Sequence, residues 1–352
     1  MTHKPPTRIA LAGAGLIGQA HMKVIQQRKD CVLSTIVDPS PAAAAIATQA
    51  GVPLFTRLED LLAQDRPDGI ILATPNALHV PQALQCVAAG LPALLEKPIA
   101  TTVQDAQTLV DAVERSQARL LIGHHRAHSP IMAKAQQVVA SGQLGRLVAV
   151  MGSATFFKPD HYFDDGPWRR VAGGGPILIN MIHEVHDLRM LCGEVVAVQA
   201  FASNATRGFA VEDTVAINLR FACGALGSFM LSDTAACARS WEQTSQENKA
   251  YASYDDEDCY VITGTIGSLS VPTMRLKTYA RAEERSWWKP FEVGTVGLVR
   301  EDPLDRQMAH FVQVIHGETA PRVTARDGLN NLRVTEAIAR AASEGGIVEL
   351  AV

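Results

Sequence analysis

The sequence predicts an N-terminal α/β domain with a parallel, doubly wound sheet, followed by an α+β domain with a large, open, mainly antiparallel sheet. Up to about residue 123, short apolar runs alternate with longer helical patterns, as in successive βαβ units. After residue 125, several strand-like runs follow one another without helices between them, which favours antiparallel pairing. The 352 residues are enough for two such domains, which we place at residues 1–125 and 126–352.

The predicted strands and helices of each half follow from its apolar runs and helical patterns. In the first half we predict strands over Arg8–Ala12, Cys31–Val37, Gly69–Ala73, Ala93–Leu95 and Leu120–Ile122. The helices between them are Leu16–Arg28, Pro41–Ala50, His79–Ala89 and Val103–Ser116. In the second half the predicted helices are Ile131–Ser141, Ile177–Leu191, Pro303–His316 and Ala325–Ser343. The predicted strands there are Leu147–Ala154, Val195–Ala202, Thr214–Phe221, Ala225–Leu231, Cys259–Thr263, Ser268–Val271 and Leu276–Ala280.

Composition excludes several classes of function. With 47% apolar residues, 19% charged residues and a net charge of -4, the chain offers no basic surface for nucleic acid or an anionic membrane. No stretch approaches the roughly 20 apolar residues of a membrane-spanning helix. The N-terminus lacks a signal-peptide pattern, so we expect a cytoplasmic protein. The six cysteines form no Cys-x-x-Cys pair, which indicates buried thiols rather than a disulfide framework or a zinc site.

A glycine-rich turn connects the first predicted strand to the first predicted helix. Gly13-Ala14-Gly15-Leu16-Ile17-Gly18 has the spacing G-x-G-x-x-G, and Asp38 follows 20 residues later at the end of the second strand. In this fingerprint Gly13 forms the tight turn, Gly15 lets the backbone approach a pyrophosphate, and Gly18 lets helix and strand pack closely. An aspartate there binds the ribose hydroxyls and repels a 2′-phosphate. The first domain is therefore predicted to be a Rossmann domain that binds NAD rather than NADP.

The motifs that follow have a recognisable order. Ala73-Thr74-Pro75-Asn76 with His79 comes after the third predicted strand, and Glu96-Lys97-Pro98 comes after the fourth. With these motifs the chain resembles the glucose–fructose oxidoreductase, inositol dehydrogenase and rhizopine catabolism (Gfo/Idh/MocA) superfamily over nearly its whole length. The resemblance continues through Gly123-His124-His125-Arg126, Trp168-Arg169, Gly173–Gly175 and Asn180-Met181-Ile182-His183.

The resemblance implies an NAD(P)-dependent dehydrogenase acting on a secondary hydroxyl of a sugar, a cyclic polyol or a sugar acid. It also implies that Lys97 holds and polarises the hydroxyl oxygen and that His183 exchanges its proton. Histidine suits this task because its unperturbed pKa lies near neutrality. We expect Asn180, the third residue of the predicted catalytic set, to fix the substrate rather than to move protons. The cofactor-binding residues would be Gly13, Gly15, Leu16, Ile17, Gly18, Asp38, Ala73, Thr74, Pro75, Asn76, His79, Glu96, Lys97 and Arg126. The substrate-binding residues would be Lys97, Tyr162, Trp168, Arg169, Asn180 and His183.

One position departs from the family pattern. Many relatives have an aspartate four residues before the histidine, where this chain has Ile179, so Asn180 is the nearest polar neighbour. A regular helix would place Asn180, His183 and Asp187 on one face. The two histidines of His183-Glu184-Val185-His186 are three residues apart rather than four as in a zinc-binding H-E-x-x-H helix, so we predict no metal.

Two alternatives stay open at the level of the sequence. One is a dihydrodiol dehydrogenase acting on a cyclic diol, and the other is a non-catalytic regulator that binds NAD as a redox signal. The presence of both Lys97 and His183 argues against the regulator. An open sheet leaves a broad face that needs cover, which predicts a homodimer or homotetramer through the C-terminal sheet.

Overall fold

The computed structural model describes residues 5–351, which form two compact units. The first unit runs to His128 and resumes over Pro303–Leu332, while the second comprises Ser129–Asp302 and resumes at Arg333. The predicted second domain, residues 126–352, includes the segment 303–332. The segment 303–332 instead belongs to the first unit, where Phe311 and Ile315 pack against Gly69 at the start of a central strand.

The helices and strands alternate in the first unit and segregate in the second. The helices are α1 (Leu16–Gln27), α2 (Pro41–Ala50), α3 (Leu58–Gln64), α4 (Asn76–Ala88), α5 (Val103–Ser116), α6 (Pro130–Ala140), α7 (Asp160–Asp164), α8 (Ile182–Cys192), α9 (Trp241–Thr244), α10 (Pro303–His316) and α11 (Ala325–Glu344). The strands are β1 (Thr7–Ala12), β2 (Cys31–Val37), β3 (Leu54–Phe55), β4 (Gly69–Leu72), β5 (Ala93–Glu96), β6 (Leu120–Gly123), β7 (Leu147–Phe157), β8 (Val195–Ser203), β9 (Thr214–Phe221), β10 (Leu226–Ser232), β11 (Thr234–Arg239), β12 (Tyr260–Gly264), β13 (Gly267–Val271), β14 (Arg275–Thr278), β15 (Glu292–Thr295) and β16 (Val348–Glu349).

The sheet of the first unit is parallel, with the strand order β3-β2-β1-β4-β5-β6. Strands β4, β5 and β6 are buried along their whole length, because helices cover both faces of such a sheet. The strand order reverses between β1 and β4. Ligands of open α/β sheets bind in the crevice at the carboxyl ends of the strands beside such a reversal. The predicted doubly wound Rossmann domain is confirmed.

The sheet of the second unit has the order β15-β14-β13-β12-β7-β10-β9-β8-β16, with β11 beside β7. Its neighbours pair antiparallel except β7 and β10, which run parallel. Along β9 and β10, buried and exposed residues alternate, so one face of the sheet is covered. The core on that face includes Met132 of α6, Leu188 of α8 and Ile338 of α11. The predicted α+β domain with a large, mainly antiparallel sheet is confirmed.

No helix within residues 5–351 combines the length and the apolar character that crossing a membrane requires.

Candidate active site

The three glycines of the turn after β1 differ in the space that a side chain would have at each position. Gly13 has a φ of 90°, and a Cβ there would lie 2.4 Å from the carbonyl oxygen of Ala73. A Cβ on Gly18 would lie 2.0 Å from the carbonyl oxygen of Gly13. A Cβ on Gly15, in contrast, would meet no protein atom within 4 Å. Gly13 and Gly18 are therefore required by the protein's own packing, whereas Gly15 leaves room for a ligand.

The first turn of α1 suits a pyrophosphate group. Gly15 caps the helix without a side-chain hydrogen bond, and the first turn contains no acidic residue. Leu16 is 86% exposed and Ile17 is also exposed, so the start of the helix lies at the surface of the unit. Backbone N–H groups and the positive end of the helix dipole bind phosphate oxygens at such a position. The turn thus fits a dinucleotide.

Asp38 lies beside this turn at the carboxyl end of β2. Its Oδ2 accepts the backbone N–H of Ala14 at 2.8 Å, and its Oδ1 accepts the backbone N–H of Ser40 at the same distance. Partial burial on its own raises the pKa of the carboxyl, but the two N–H donors outweigh it, and the pKa is lowered overall. Asp38 is therefore a carboxylate at neutral pH.

His79 braces two loops of the first unit. Its Nδ1 lies 2.7 Å from the carbonyl oxygen of Pro98, and its Nε2 lies 2.9 Å from that of Thr74. The ring is almost fully buried, and burial lowers its pKa. His79 therefore links the loop after β4 to the loop after β5. In the first of these loops Ala73 is buried, Thr74 and Asn76 are half-buried, and Pro75 is exposed.

Glu96 and Lys97 occupy the carboxyl end of β5. Glu96 is buried, and its Oε1 lies 2.7 Å from Nε2 of His21, a fully buried residue of α1. Burial on its own raises the pKa of the Glu96 carboxyl, but His21 and Lys97 hold it below its usual value. Lys97 is half-buried, and Arg126 is buried in the 3₁₀ turn after β6. The pair of His21 and Glu96 ties the glycine-rich helix to the strand end that carries Lys97.

The histidine helix of the second unit begins irregularly. The segment Ile177–Met181 is a π-helix that leads into α8, and His183 is buried in the first turn of α8. The α-helical period therefore does not extend back to Asn180, which contradicts the expected shared face of Asn180, His183 and Asp187. Asp187 instead accepts a hydrogen bond from Tyr260 at 3.1 Å. A π-helical turn inside a helix is frequently found at functional sites.

Asn180 contacts Lys158, which is not among the predicted site residues. Nζ of Lys158, the residue after β7, lies 2.8 Å from Oδ1 of Asn180 and 3.5 Å from Oδ2 of Asp233. Asp233 lies directly after β10 and is buried. No motif marks Lys158, because its partners are distant in sequence. The available signal was the charged residue at the end of a strand in a loop rich in aromatic residues.

The loop after β7 brings the other predicted substrate residues together. The Arg169 guanidinium stacks on the Tyr162 ring, with Cζ 3.8 Å from the ring centroid, and it donates a hydrogen bond to the carbonyl oxygen of Tyr162. Trp168 is exposed beside it. A Cβ on Gly174 would lie 2.3 Å from the carbonyl oxygen of Trp168, so the glycine triplet allows close passage of this loop. The second unit therefore has two clusters of polar residues on adjoining segments, one around Asn180 and one around Tyr162.

Two family models match the chain. Residues 7–124 match the oxidoreductase family with an NAD-binding Rossmann fold, and residues 132–270 match the Gfo/Idh/MocA C-terminal domain. The two matches cover most of the described parts of both units.

Individual relatives extend these matches. The chain is 28% identical to a 1,5-anhydro-D-fructose reductase from Ensifer adhaerens over 335 residues, which is 91% of each chain. It is 31% identical to an inositol 2-dehydrogenase from Corynebacterium glutamicum over 149 residues, which is 41% of this chain and 44% of the relative. The structure is also similar to that of the WlbA dehydrogenase from Bordetella pertussis in complex with NADH and UDP-GlcNAcA. That comparison has a TM-score of 0.79 at 26% identity and covers 99% of each chain.

Proposed function

Because the chain belongs to the Gfo/Idh/MocA superfamily of NAD(P)-dependent oxidoreductases, we propose that it oxidises a secondary hydroxyl of a sugar, cyclic polyol or sugar acid with NAD. The observation that carries this proposal is Lys97, placed directly after the buried Glu96 at the carboxyl end of β5. At that edge of a parallel sheet, a half-buried lysine is in the place where ligands of such sheets bind.

The chemistry assigns one role to each of two residues. The bound nicotinamide supplies the hydride acceptor. Lys97 holds the hydroxyl oxygen and stabilises the negative charge that develops on it as the C–H bond breaks. His183 takes the proton that this oxygen releases. The carbon loses a hydride, the oxygen loses a proton, and the product is a ketone.

The choice of NAD over NADP follows from Asp38. Its lowered pKa keeps a negative charge beside the glycine-rich turn, where the adenosine ribose of a dinucleotide binds. A carboxylate there accepts hydrogen bonds from ribose hydroxyls and repels a 2′-phosphate. The residues that follow Asp38 are Pro39, Ser40 and Pro41, and none of them brings a positive charge for that phosphate.

The class of substrate is supported by the relatives. Their names specify an anhydro sugar, an inositol and a nucleotide-linked sugar acid. The second unit has matching chemistry, since Asn180, Lys158, Tyr162 and Arg169 offer hydrogen-bonding and stacking groups on adjoining segments. We propose that this unit selects among hydroxylated small molecules.

A direct experiment incubates the purified protein with NAD and a panel of polyols, aldoses, aldonates and cyclic dihydrodiols, and follows the absorbance of reduced nicotinamide. Turnover of a sugar, polyol or sugar acid with NAD supports the proposal. Turnover confined to dihydrodiols would instead assign a dihydrodiol dehydrogenase. Tight NAD binding without turnover of any compound would favour a regulator.

We further propose that a second copy of the chain covers the exposed face of the C-terminal sheet. Met230 of β10 pairs with Ala216 of β9, which in turn pairs with Phe201 of β8, and Ser228 of β10 pairs with Met151 of β7. These neighbours are exposed on the same face, together with Leu226. Burial of this apolar face in a homodimer or homotetramer would remove it from water.

A further inference from the structure

Lys158 is held rigidly at the end of β7. Its backbone N–H donates to the carbonyl oxygen of Asp233 at 2.9 Å, and its own carbonyl oxygen accepts Nη2 of Arg207 at 2.8 Å. Its side chain is 11% exposed. The ammonium therefore has a fixed place beside Asn180, which a lysine on a flexible surface loop would not have.

The orientation of the Asn180 amide follows from this contact. An ammonium group only donates hydrogen bonds, so the amide atom 2.8 Å from Nζ of Lys158 is the oxygen. The other end of the amide is the Nδ2 group, which carries two N–H donors and no acceptor. Lys158 and the outward end of Asn180 together present donors only. A partner for them must consist of acceptors.

Lys158 shares its nearest carboxylate with a second cation. Asp233 is its nearest carboxylate, but Oδ1 of Asp233 already accepts Nε of Arg207 at 3.0 Å. Burial lowers the pKa of Lys158 to about 8, with Asp233 opposing this shift and Arg169 and Arg207 adding to it. Asp233 thus serves two buried cations, and Arg207 has a second carboxylate, Oδ1 of the exposed Asp160, 3.7 Å from its Nη1.

Two further charged groups, Arg169 and Glu212, interact electrostatically with Lys158. Arg169 directs its guanidinium to the carbonyl oxygen and ring of Tyr162. Glu212 accepts the backbone N–H of Ile177 at 2.8 Å, and burial raises the pKa of its carboxyl, which favours the uncharged form relative to an exposed glutamate. Lys158 therefore shares Asp233 with Arg207, and its ammonium group can also bind an acceptor of a ligand.

We propose that Lys158 and Asn180 form a subsite for a carboxylate group, which makes the substrate of this enzyme a sugar acid rather than a neutral sugar or polyol. The inference rests on the proposed dehydrogenase function and narrows its substrate class. A carboxylate has acceptors only and is negatively charged, so it complements both the donors of this pair and the positive charge of Lys158. Lys158 binds the carboxylate as a cation, and Asn180 adds a directed N–H donor.

The test compares aldonates and uronates with the neutral sugars of matching configuration, using the protein saturated with NAD. Steady-state kinetics give the ratio of kcat/KM for acid over neutral compound, and calorimetry gives the affinity for each. We expect the wild-type protein to prefer the acid. Lys158→Met should lower the acid-to-neutral ratio by about 10–100-fold, the usual range for loss of a charge-assisted hydrogen bond, mainly through KM for the acid. Lys277→Met, which removes an exposed lysine on β14, is the matched control and should leave the ratio unchanged.

The pH dependence separates a charge role from a structural one. Because the pKa of Lys158 is about 8, the ammonium loses its proton as the pH rises through that value, and the KM for the acid should increase between pH 7 and 9. Lys158→Arg keeps its charge and should abolish that increase. Tyr162 does not account for it, because burial raises its pKa above the usual value of 10.0.

Asn180→Asp provides a second variant that changes few atoms. It places a carboxylate against Lys158 and should lower the acid-to-neutral ratio through charge neutralisation.

An unchanged ratio in both Lys158→Met and Asn180→Asp would overturn the inference, as would a wild-type preference for neutral sugars. Turnover of neutral compounds alone leaves the proposed dehydrogenase function intact while removing the carboxylate subsite. If no compound is turned over, the proposed function fails, and the calorimetric affinity for acids then decides the subsite: acid binding that weakens in Lys158→Met supports it, and no acid binding contradicts it.

Discussion

His21 and Glu96 form a buried pair in the first unit, with 2.7 Å between Nε2 and Oε1. Removing one partner of a buried, paired charge is costly because the other stays in a poorly solvated place. We expect His21→Leu to lower the free energy of unfolding by about 3–5 kcal/mol in urea titrations. The double variant His21→Leu/Glu96→Leu should lose less than the single variant. Equal stability of His21→Leu and the wild type would show that the pair contributes nothing.

The same pair predicts a pH dependence of stability. The pKa of Glu96 in the folded state lies below its ordinary value of 4.5, so ionisation of this carboxyl favours folding. That contribution is present above pH 4.5 and is lost as the pH falls through the lowered pKa. The stability difference between wild type and Glu96→Gln should therefore shrink on acidification. Urea titrations between pH 3 and 7 measure it, and a constant difference would contradict the assignment.

The two kinds of glycine in the turn after β1 predict opposite outcomes for alanine substitution. Gly15 has an extended backbone and open space at Cβ, so Gly15→Ala should keep the wild-type melting temperature while weakening NAD binding. Gly18→Ala should lower the melting temperature, because its Cβ would collide with the carbonyl oxygen of Gly13. Thermal unfolding and NAD calorimetry distinguish the two effects. A large loss of stability in Gly15→Ala would show that the space serves the protein and not a ligand.

The charge of Asp38 predicts the cofactor preference. Asp38→Asn keeps an oxygen acceptor for the N–H of Ala14 but removes the negative charge. The ratio of kcat/KM for NAD over NADP should fall by about tenfold or more, which corresponds to roughly 1.4 kcal/mol of lost repulsion. Asp38→Ser removes the charge together with the carboxylate that accepts the N–H groups of Ala14 and Ser40. It therefore also measures what these two hydrogen bonds contribute to cofactor binding. If Asp38→Asn kept the wild-type ratio, the charge would have no part in cofactor choice.

The exposed face of the C-terminal sheet predicts self-association. Wild-type protein at micromolar concentration should have the mass of a dimer or tetramer by light scattering. Replacing Met230 and Leu226 with lysine places two charges on the apolar face and should shift the mass towards that of a monomer. Thr108→Lys on the exposed side of α5 is the control. A monomeric wild-type protein would contradict the proposal.

Much of the fold could be predicted because regular elements with clear apolar patterns dominate both units. The predicted bounds of β2, α2 and α5 agree with the structure residue for residue. Helix α3 was missed although Leu58 and Leu61 are buried, but two missed strands lack such a pattern. Strand β3 has two residues, and β15 is exposed along its whole length, so neither shows the alternation that marks a half-buried strand.

The site could be predicted only where local motifs define it. The glycine-rich turn with Asp38 and the Glu96-Lys97 pair follow from spacing along the chain. Lys158 and Asp233 meet only through pairing between β7 and β10, which spacing does not reveal. The π-helical segment before α8 also has a different period from the α-helix that the sequence suggested. The direction of the Asn180 side chain could therefore not be predicted from the sequence.

The most direct test of the central claim is the rate of hydride transfer in Lys97→Met and His183→Ala, measured by stopped flow as formation of reduced nicotinamide at saturating NAD and substrate. Lys277→Met is the control, and NAD affinity is measured separately for each variant. We expect both active-site variants to bind NAD nearly as the wild type does. Hydride transfer should slow by about 10²–10⁴-fold in each, with the larger effect for Lys97 because Ile179 replaces the family's usual aspartate. Wild-type rates in both variants would contradict the assignment of the chemistry to these residues.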